Sequence, residues 1–183
     1  YLFSVVRQYP LDRVRVFGEE EKLAAIQEHL FSEYIFPVLP PIEFCTLPSN
    51  APVELTDGGR VTHFPLKHVG GTVGYRVDWP DRSMAYVTDT TAAIHADYVE
   101  RIRGVDLLVH ECYFPDGHEE WAVKTGHSCT TPVAEVAKAA DVGWLVIVHV
   151  DPVVDKEDPI GLEIARRVFP NTELGSDLQE IDF

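Results

Sequence analysis

The chain has 183 residues, 45% of them apolar, and thirty acidic against fifteen basic residues give it a formal net charge of −15. That length and apolar content predict one domain over residues 1–183 with a substantial core. The acidic balance disfavours a broad RNA-binding surface, which needs a basic face to neutralise phosphates. Three cysteines without a C-x-x-C spacing indicate neither a disulfide framework nor a zinc knuckle, so we expect a cytoplasmic protein. No apolar run approaches the ~18 residues that span a bilayer, so we expect no membrane partner.

The first part of the chain predicts a strand, a helix and a connector. Residues 13–17 alternate as in a strand, and Gly18 then leads into an acidic turn that suits a helix N-terminus. Apolar residues follow at helical spacing, namely Leu23, Ile26, Leu30 and Tyr34. The proline-rich stretch 36–52 predicts an extended surface connector, and the Asp-Gly-Gly sequence at 57–59 predicts a hairpin turn.

The rest of the chain interleaves strands with helices. Alternating or continuous apolar runs predict strands at 61–66, 72–79, 83–89, 106–111 and 144–150. Helical spacing and helix-start signals predict helices at 94–102, 131–143 (Thr131 as N-cap) and 158–169. This order predicts an α/β sandwich in which helices cover packed sheets.

Acid and imidazole side chains follow short apolar strands or precede a helix, namely His68, Asp89, His127 and His149. Each of them alone is more often a turn former or a satisfied surface group. Ligands that converge from the ends of several strands, however, form a rigid and partly dehydrated pocket. Imidazole and carboxylate are donors that zinc accepts in such a pocket. The set therefore predicts part of a metal site.

These residues lie in segments that resemble the metallo-β-lactamase-fold hydrolases, and most of all the branch of ribonuclease Z and the cyclic-phosphate phosphodiesterases. The segments, in chain order, are FPLKHVGGTVGYR, YVTDT, LLVHECYF, GHSCTTP and VHVDP. The resemblance covers most of the chain and implies the C-terminal portion of an αββα sandwich. The family's His-x-His-x-Asp-His cluster occurs nowhere in these residues. We expect a piece of a longer enzyme, and a short protein that has lost its first half is the alternative.

The resemblance implies roles for five residues. His68 and His149 would each complete the shell of one metal ion, and Asp89 would bridge two divalent ions, zinc first, with manganese or iron as alternatives. His127 would donate a proton or a hydrogen bond to a phosphoryl or leaving oxygen. Glu111 would orient the His127 imidazole, as carboxylates beside metal sites do.

The activity implied by the resemblance is that of a metal-dependent hydrolase. The leading hypothesis is a phosphodiesterase that uses a hydroxide activated by two metal ions on a small or nucleotide-like phosphodiester. A lactam, lactone or thioester hydrolase of the same fold is one alternative, and a non-catalytic binding module without the metal cluster is another. RNA stays a weaker substrate hypothesis because of the acidic charge, and a homo-oligomer is compatible with the sequence. His110 could face the site or the opposite side of its strand, and the family pattern favours its neighbour Glu111.

Overall fold

The computed structural model describes residues 14–36, 38–49 and 51–183. The chain forms two compact units that divide after Ala51. Arg13, the first residue of the predicted N-terminal strand, lies outside the described residues. The single domain over residues 1–183 stays a prediction.

The first unit contains strand β1 (Val14–Gly18), helix α1 (Glu20–His29) and strand β2 (Ile42–Thr46). Strands β1 and β2 pair in parallel along their whole length. Helix α1 ends at His29, earlier than the helical spacing through Tyr34 predicts, and Tyr34 is fully exposed. The predicted connector was wrong where β2 forms. The prolines of this stretch flank β2 and do not lie within it, so no residue of β2 lacks a backbone N–H.

Within the described residues, the second unit contains a seven-stranded sheet in the order β3-β4-β5-β6-β7-β8-β9. Its strands are β3 (Val53–Glu54), β4 (Arg60–Leu66), β5 (Thr72–Asp78), β6 (Ser83–Val87), β7 (Leu107–Glu111), β8 (Trp144–Val148) and β9 (Thr172–Leu174). The pairs from β3 to β6 are antiparallel, and those from β6 to β9 are parallel. The turn predicted at 57–59 joins β3 to β4. The short edge strand β9 was not predicted.

The helices of the second unit are α2 (Tyr98–Arg101), α3 (Glu119–Thr125), α4 (Thr130–Ala139) and α5 (Leu162–Val168). Helix α2 is shorter than predicted, and α3 was not predicted. Thr131 is not the N-cap of α4, because Cys129 holds that position. The Thr131 N–H instead donates to the Asp116 carboxylate at 2.8 Å. Helix α5 begins later than predicted because the Asp158 carboxylate accepts the backbone N–H of Leu162, as a capping side chain does.

The core lies on one face of the seven-stranded sheet. Ala85, Leu108 and Leu145 lie side by side on neighbouring strands and are fully buried. The predicted apolar stripe of α4, formed by Val133, Val136, Ala137 and Ala140, is also fully buried. Burying one such leucine contributes roughly 1.5–3 kcal/mol. On the opposite face His63 pairs with Tyr75 in the ladder between β4 and β5.

Cys45, Cys112 and Cys129 are free thiols. None of the helices in the described part of the chain is long and apolar enough to cross a membrane. The cytoplasmic location and the homo-oligomer stay predictions.

Candidate functional site

The five residues singled out in the sequence lie at one edge of the seven-stranded sheet. Strands β4, β6, β7 and β8 run in the same direction, so their carboxyl ends share that edge. His68 and Asp89 follow β4 and β6, Glu111 is the last residue of β7, and His149 directly follows β8. His127 lies in the loop before α4 and reaches the same edge.

Asp89 is the centre of this cluster. The His68 Nε2 atom lies 3.9 Å from Asp89 Oδ2, and the His149 Nε2 atom lies 3.5 Å from Asp89 Oδ1. Both distances exceed that of a normal hydrogen bond. One ligand atom each from His68, Asp89 and His127 also lie within 4.8 Å of one another. The imidazoles thus converge on one carboxylate without bonding to it directly.

A backbone contact fixes the orientation of the His68 ring. Its Nδ1 atom lies 3.1 Å from the Gly126 carbonyl oxygen, so Nδ1 donates to that oxygen and Nε2 is the nitrogen that faces Asp89. Gly126 has a φ of +81°, and a Cβ there would come within 2.6 Å of His68 Nδ1. Glycine is therefore required at this position by both conformation and space. A metal-binding histidine is commonly held in this way through its second nitrogen.

His149 is held by a strained backbone. Its φ is +58°, in the left-handed region that non-glycine residues rarely adopt. Such a conformation costs about 1–2 kcal/mol, and it persists where the surrounding structure fixes it. The imidazole remains 45% exposed and faces Asp89. The strain therefore lies at the cluster itself.

Glu111 and His127 form a second pair next to Asp89. Their Oε2 and Nδ1 atoms lie 3.6 Å apart, and both atoms are buried without a hydrogen-bond partner. Glu111 is 1% exposed, and burial raises its pKa to about 8, although hydrogen bonds from Ser128 and the Thr90 N–H oppose the shift. Burial thus favours the protonated, uncharged form of this carboxyl.

Burial also disfavours the charged form of His127, which is the protonated imidazole. It lowers the pKa of the imidazole, and the neighbouring His149 and His68 add to this effect while Asp89 opposes it. Burial therefore favours the neutral forms of both Glu111 and His127. Neighbouring titratable groups whose pKa values are shifted by burial and by nearby charges are typical of functional sites.

Tyr113 is a residue of this site that the sequence did not reveal. Its ring stacks on the His127 imidazole with centroids 5.0 Å apart and planes at 28°. It also lies 5.7 Å from the His149 ring. The segment LLVHECYF contains Tyr113, but no spacing in it indicates a contact with a histidine in another loop. Sequence order alone could not have identified it.

His110, left open in the sequence, faces away from the site. It is fully buried, its Nδ1 lies 2.6 Å from the Glu111 carbonyl oxygen, and its Nε2 lies 3.1 Å from the Tyr98 hydroxyl. Burial lowers its pKa to about 4, so it stays neutral. Its polar atoms are satisfied by the protein itself.

The donor set fits a divalent metal. Imidazole nitrogens and carboxylate oxygens are ligands of zinc and of manganese or iron. The unpartnered buried atoms Glu111 Oε2 and His127 Nδ1 beside the cluster show a polarity that the described protein alone does not satisfy. Because His127 lies within the ligand cluster, it is a candidate ligand as well as a candidate acid.

One curated relative with substantial similarity is a protein named ribonuclease Z from Synechococcus sp. (strain CC9605). It is 35% identical over 139 residues, which are 74% of this chain and 43% of the relative. The chain thus spans less than half the length of this relative.

Two solved structures show the same fold. The short form of human tRNase Z superposes with a TM-score of 0.71 at 18% identity, covering 99% of this chain and 71% of that one. A diphosphatase from the PhnP family superposes with a TM-score of 0.65 at 23% identity, covering 90% and 56%. These similarities confirm the predicted α/β architecture.

The family comparison covers most of the sequence. Residues 5–150 match the family described as "Beta-lactamase superfamily domain". The roles of the five site residues stay predictions, since the match concerns the fold and not individual side chains. The chain belongs to the beta-lactamase superfamily and has the metallo-β-lactamase fold.

Proposed function

We propose that this chain carries part of the active site of a metal-dependent hydrolase, a phosphodiesterase that acts on a small or nucleotide-like phosphodiester. One observation supports this most directly. The imidazoles of His68 and His149 converge on Asp89, with the unpartnered Glu111 and His127 pair beside them. A structural cluster would satisfy its own buried polar atoms, as the His110 pair does.

His68, Asp89 and His149 would hold the metal, with Asp89 shared between two ions. Zinc is the first candidate for this donor set, with manganese or iron as alternatives. When bound, such ions supply Lewis acidity and a water molecule that is acidic near neutral pH. The Gly126 carbonyl holds the His68 ring so that Nε2 faces Asp89.

His127 would donate a proton to the leaving oxygen, and Glu111 would orient His127. A neutral imidazole that gains a proton can pass it to a leaving oxygen, a contribution of about 10²–10⁴ in rate. Glu111, 3.6 Å from His127 Nδ1, would orient the ring and stabilise its charged form. A positive charge at the cluster would favour the ionised form of the Glu111 carboxyl.

RNA is a second candidate substrate, because the curated relative is named ribonuclease Z. The net charge of −15 opposes RNA binding, because a protein binds RNA more tightly when its own cationic side chains neutralise the phosphates. A gel-shift titration with transfer RNA at low and at moderate salt tests it. Salt-dependent binding would favour the RNA substrate, and no shift at low salt would exclude it.

The experiment for the proposed function combines two measurements on the purified complete protein. Elemental analysis should find about two zinc, manganese or iron ions per chain, and bis-p-nitrophenyl phosphate should be hydrolysed in a metal-dependent manner. Metal content near zero would contradict the proposal and favour a binding module. Turnover of a lactam, lactone or thioester without phosphodiester hydrolysis would move the activity to that bond.

A further inference from the structure

A cavity of about 410 Å³ is lined in part by Tyr113, whose ring contacts His127 and His149 of the candidate metal cluster. We call it the aromatic pocket, and its wall includes Tyr113, Phe114, His118, Trp121, Asp151 and Lys156. Tyr113 joins the two sites, because its ring lines the pocket and stacks on His127 at 5.0 Å. A molecule in the pocket would therefore lie next to the reacting group of a substrate on the cluster.

Three rings of the aromatic pocket pack against one another, and a fourth, that of Trp121, is largely exposed. Phe114 and His118 have nearly parallel planes, 8° apart, with centroids 6.0 Å from each other. Tyr113 meets Phe114 edge to face at 4.9 Å. Trp121, on α3, is 56% exposed although it is the largest apolar side chain of the pocket. Aromatic side chains stack on planar rings through their faces.

The wall is held in place before any ligand arrives. The Phe114 N–H donates to the Ser128 carbonyl oxygen at 3.1 Å, and Phe114 forms a β-bridge with Cys129. The Asp116 carboxylate then ties the same loop to the start of α4 through Thr131. A preformed wall lowers the entropy cost of binding.

The polar groups of the pocket suit a neutral heterocycle better than a phosphate. Lys156 offers donors and Asp151 offers an acceptor, so their charges offset each other. Among the lining residues a phosphate would meet the Lys156 ammonium and the Asp151 carboxylate, whose charges oppose each other. The edge of a nucleobase presents both acceptors and donors and can use both side chains.

We propose that the aromatic pocket binds the heterocyclic base of a nucleotide substrate. The phosphodiester would then lie on the cluster around Asp89, and this placement rests on the proposed function. The base-binding step itself does not depend on hydrolysis. Stacking on aromatic side chains contributes about 1–3 kcal/mol per base, or roughly 5- to 150-fold in affinity.

The test uses two probes that differ only in the base, AMP and ribose 5-phosphate, with the complete metal-loaded protein in isothermal titration calorimetry. AMP should bind about 10-fold or more tightly than ribose 5-phosphate. Trp121→Ala should reduce that ratio to about threefold or less without changing the affinity for ribose 5-phosphate, and Trp121→Phe should keep most of it. The control is Tyr34→Ala, which removes a fully exposed ring far along the sequence and should leave the ratio unchanged.

Equal affinities for the two probes, or no measurable AMP binding, would overturn the pocket assignment. A ratio that survives both Trp121→Ala and Phe114→Ala would overturn it as well. Failure of the proposed function gives a different result, namely AMP binding that depends on Trp121 in a protein that does not hydrolyse bis-p-nitrophenyl phosphate. Circular dichroism of each variant checks that it is folded.

Discussion

The buried polar side chains on the two sides of strand β7 differ in whether they have hydrogen-bond partners. His110 faces the core, is fully buried, and has partners for both ring nitrogens in the Glu111 carbonyl and the Tyr98 hydroxyl. Its neighbour Glu111 is equally buried on the other side, yet its Oε2 atom faces an equally unpartnered nitrogen of His127. An unpaired buried polar group costs about 1–3 kcal/mol. The site side of β7 therefore retains a cost that the core side has removed.

This contrast separates structure from function without reference to any relative. Satisfied polar groups in a core stabilise one arrangement, whereas unsatisfied groups that converge at a sheet edge are available to a ligand. The strained φ of His149 lies at the same edge of the sheet. Substitutions on the site side should therefore change metal binding and rate, and those on the core side should change stability.

The largest effect is expected from removing a metal ligand. Asp89→Ala or His149→Ala should release at least one metal ion per chain. Outer partners of metal ligands already account for about 10–100-fold in affinity, so the loss of a ligand should exceed that. Elemental analysis after gel filtration measures it. Asp81→Ala, which removes an exposed carboxylate, is the matched control, and full metal occupancy in both ligand variants would contradict the ligand assignment.

The second largest effect concerns the proton. His127→Ala should lower kcat for bis-p-nitrophenyl phosphate by about 10²–10⁴ while the metal content stays at the wild-type level. Steady-state kinetics and elemental analysis on the same preparation measure the two quantities. If metal is lost as well, His127 is a ligand, as its position within 4.8 Å of the His68 and Asp89 ligand atoms permits. His29→Ala, at the exposed end of α1, controls for loss of an imidazole elsewhere.

The protein should lose stability in acid because of His110 on the core side of β7. His110 has a folded pKa of about 4 against an ordinary value of 6.5. The unfolded chain binds the proton more readily, so the stabilisation is complete above pH 6.5 and is lost as the pH falls toward 4. The loss is on the order of 3 kcal/mol. Urea unfolding across this range should show it.

The double variant Tyr98→Phe with His110→Leu provides the comparison for this acid limb. Replacing both side chains with apolar groups leaves neither of them with an unpaired polar atom, and it removes the titrating imidazole. The free energy of unfolding should then fall less between pH 6.5 and 4 than in the wild type. An unchanged pH dependence would assign the acid limb to other groups.

The sequence predicted the central strands and the sheet edge correctly because burial dictates their pattern. Strands β6, β7 and β8 are continuous or alternating apolar runs, and polar residues at their ends had to lie at one edge. Helix α3 and strand β9 were not predicted because they are too short to show a clear periodicity. Helix α3 has seven residues, with Trp121 exposed, and strand β9 has three. Strand β2 was concealed by its flanking prolines.

The site was predictable only in its strand-end residues. The positions of His68, Asp89 and His149 follow from the strands before them. The stacking of Tyr113 on His127, in contrast, joins two loops that only the folded chain brings together. The different states of His110 and Glu111 also depend on Tyr98 and His127, which are distant in sequence. Tertiary contact, not local pattern, decides those roles.

The smallest effect is expected from a single atom on the core side. Tyr98→Phe removes the hydroxyl that bonds to His110 Nε2 and leaves a buried acceptor without a partner, at a cost of about 1–3 kcal/mol. Thermal or urea unfolding at pH 7.5 measures it. The control Tyr86→Phe removes a hydroxyl from a residue that is 40% exposed and should cost less. Metal content and kcat should stay at wild-type levels in both variants, because the change lies on the face of β7 away from Asp89. A drop in metal content in Tyr98→Phe would show that the two sides of the strand are coupled, and the contrast between them would no longer hold.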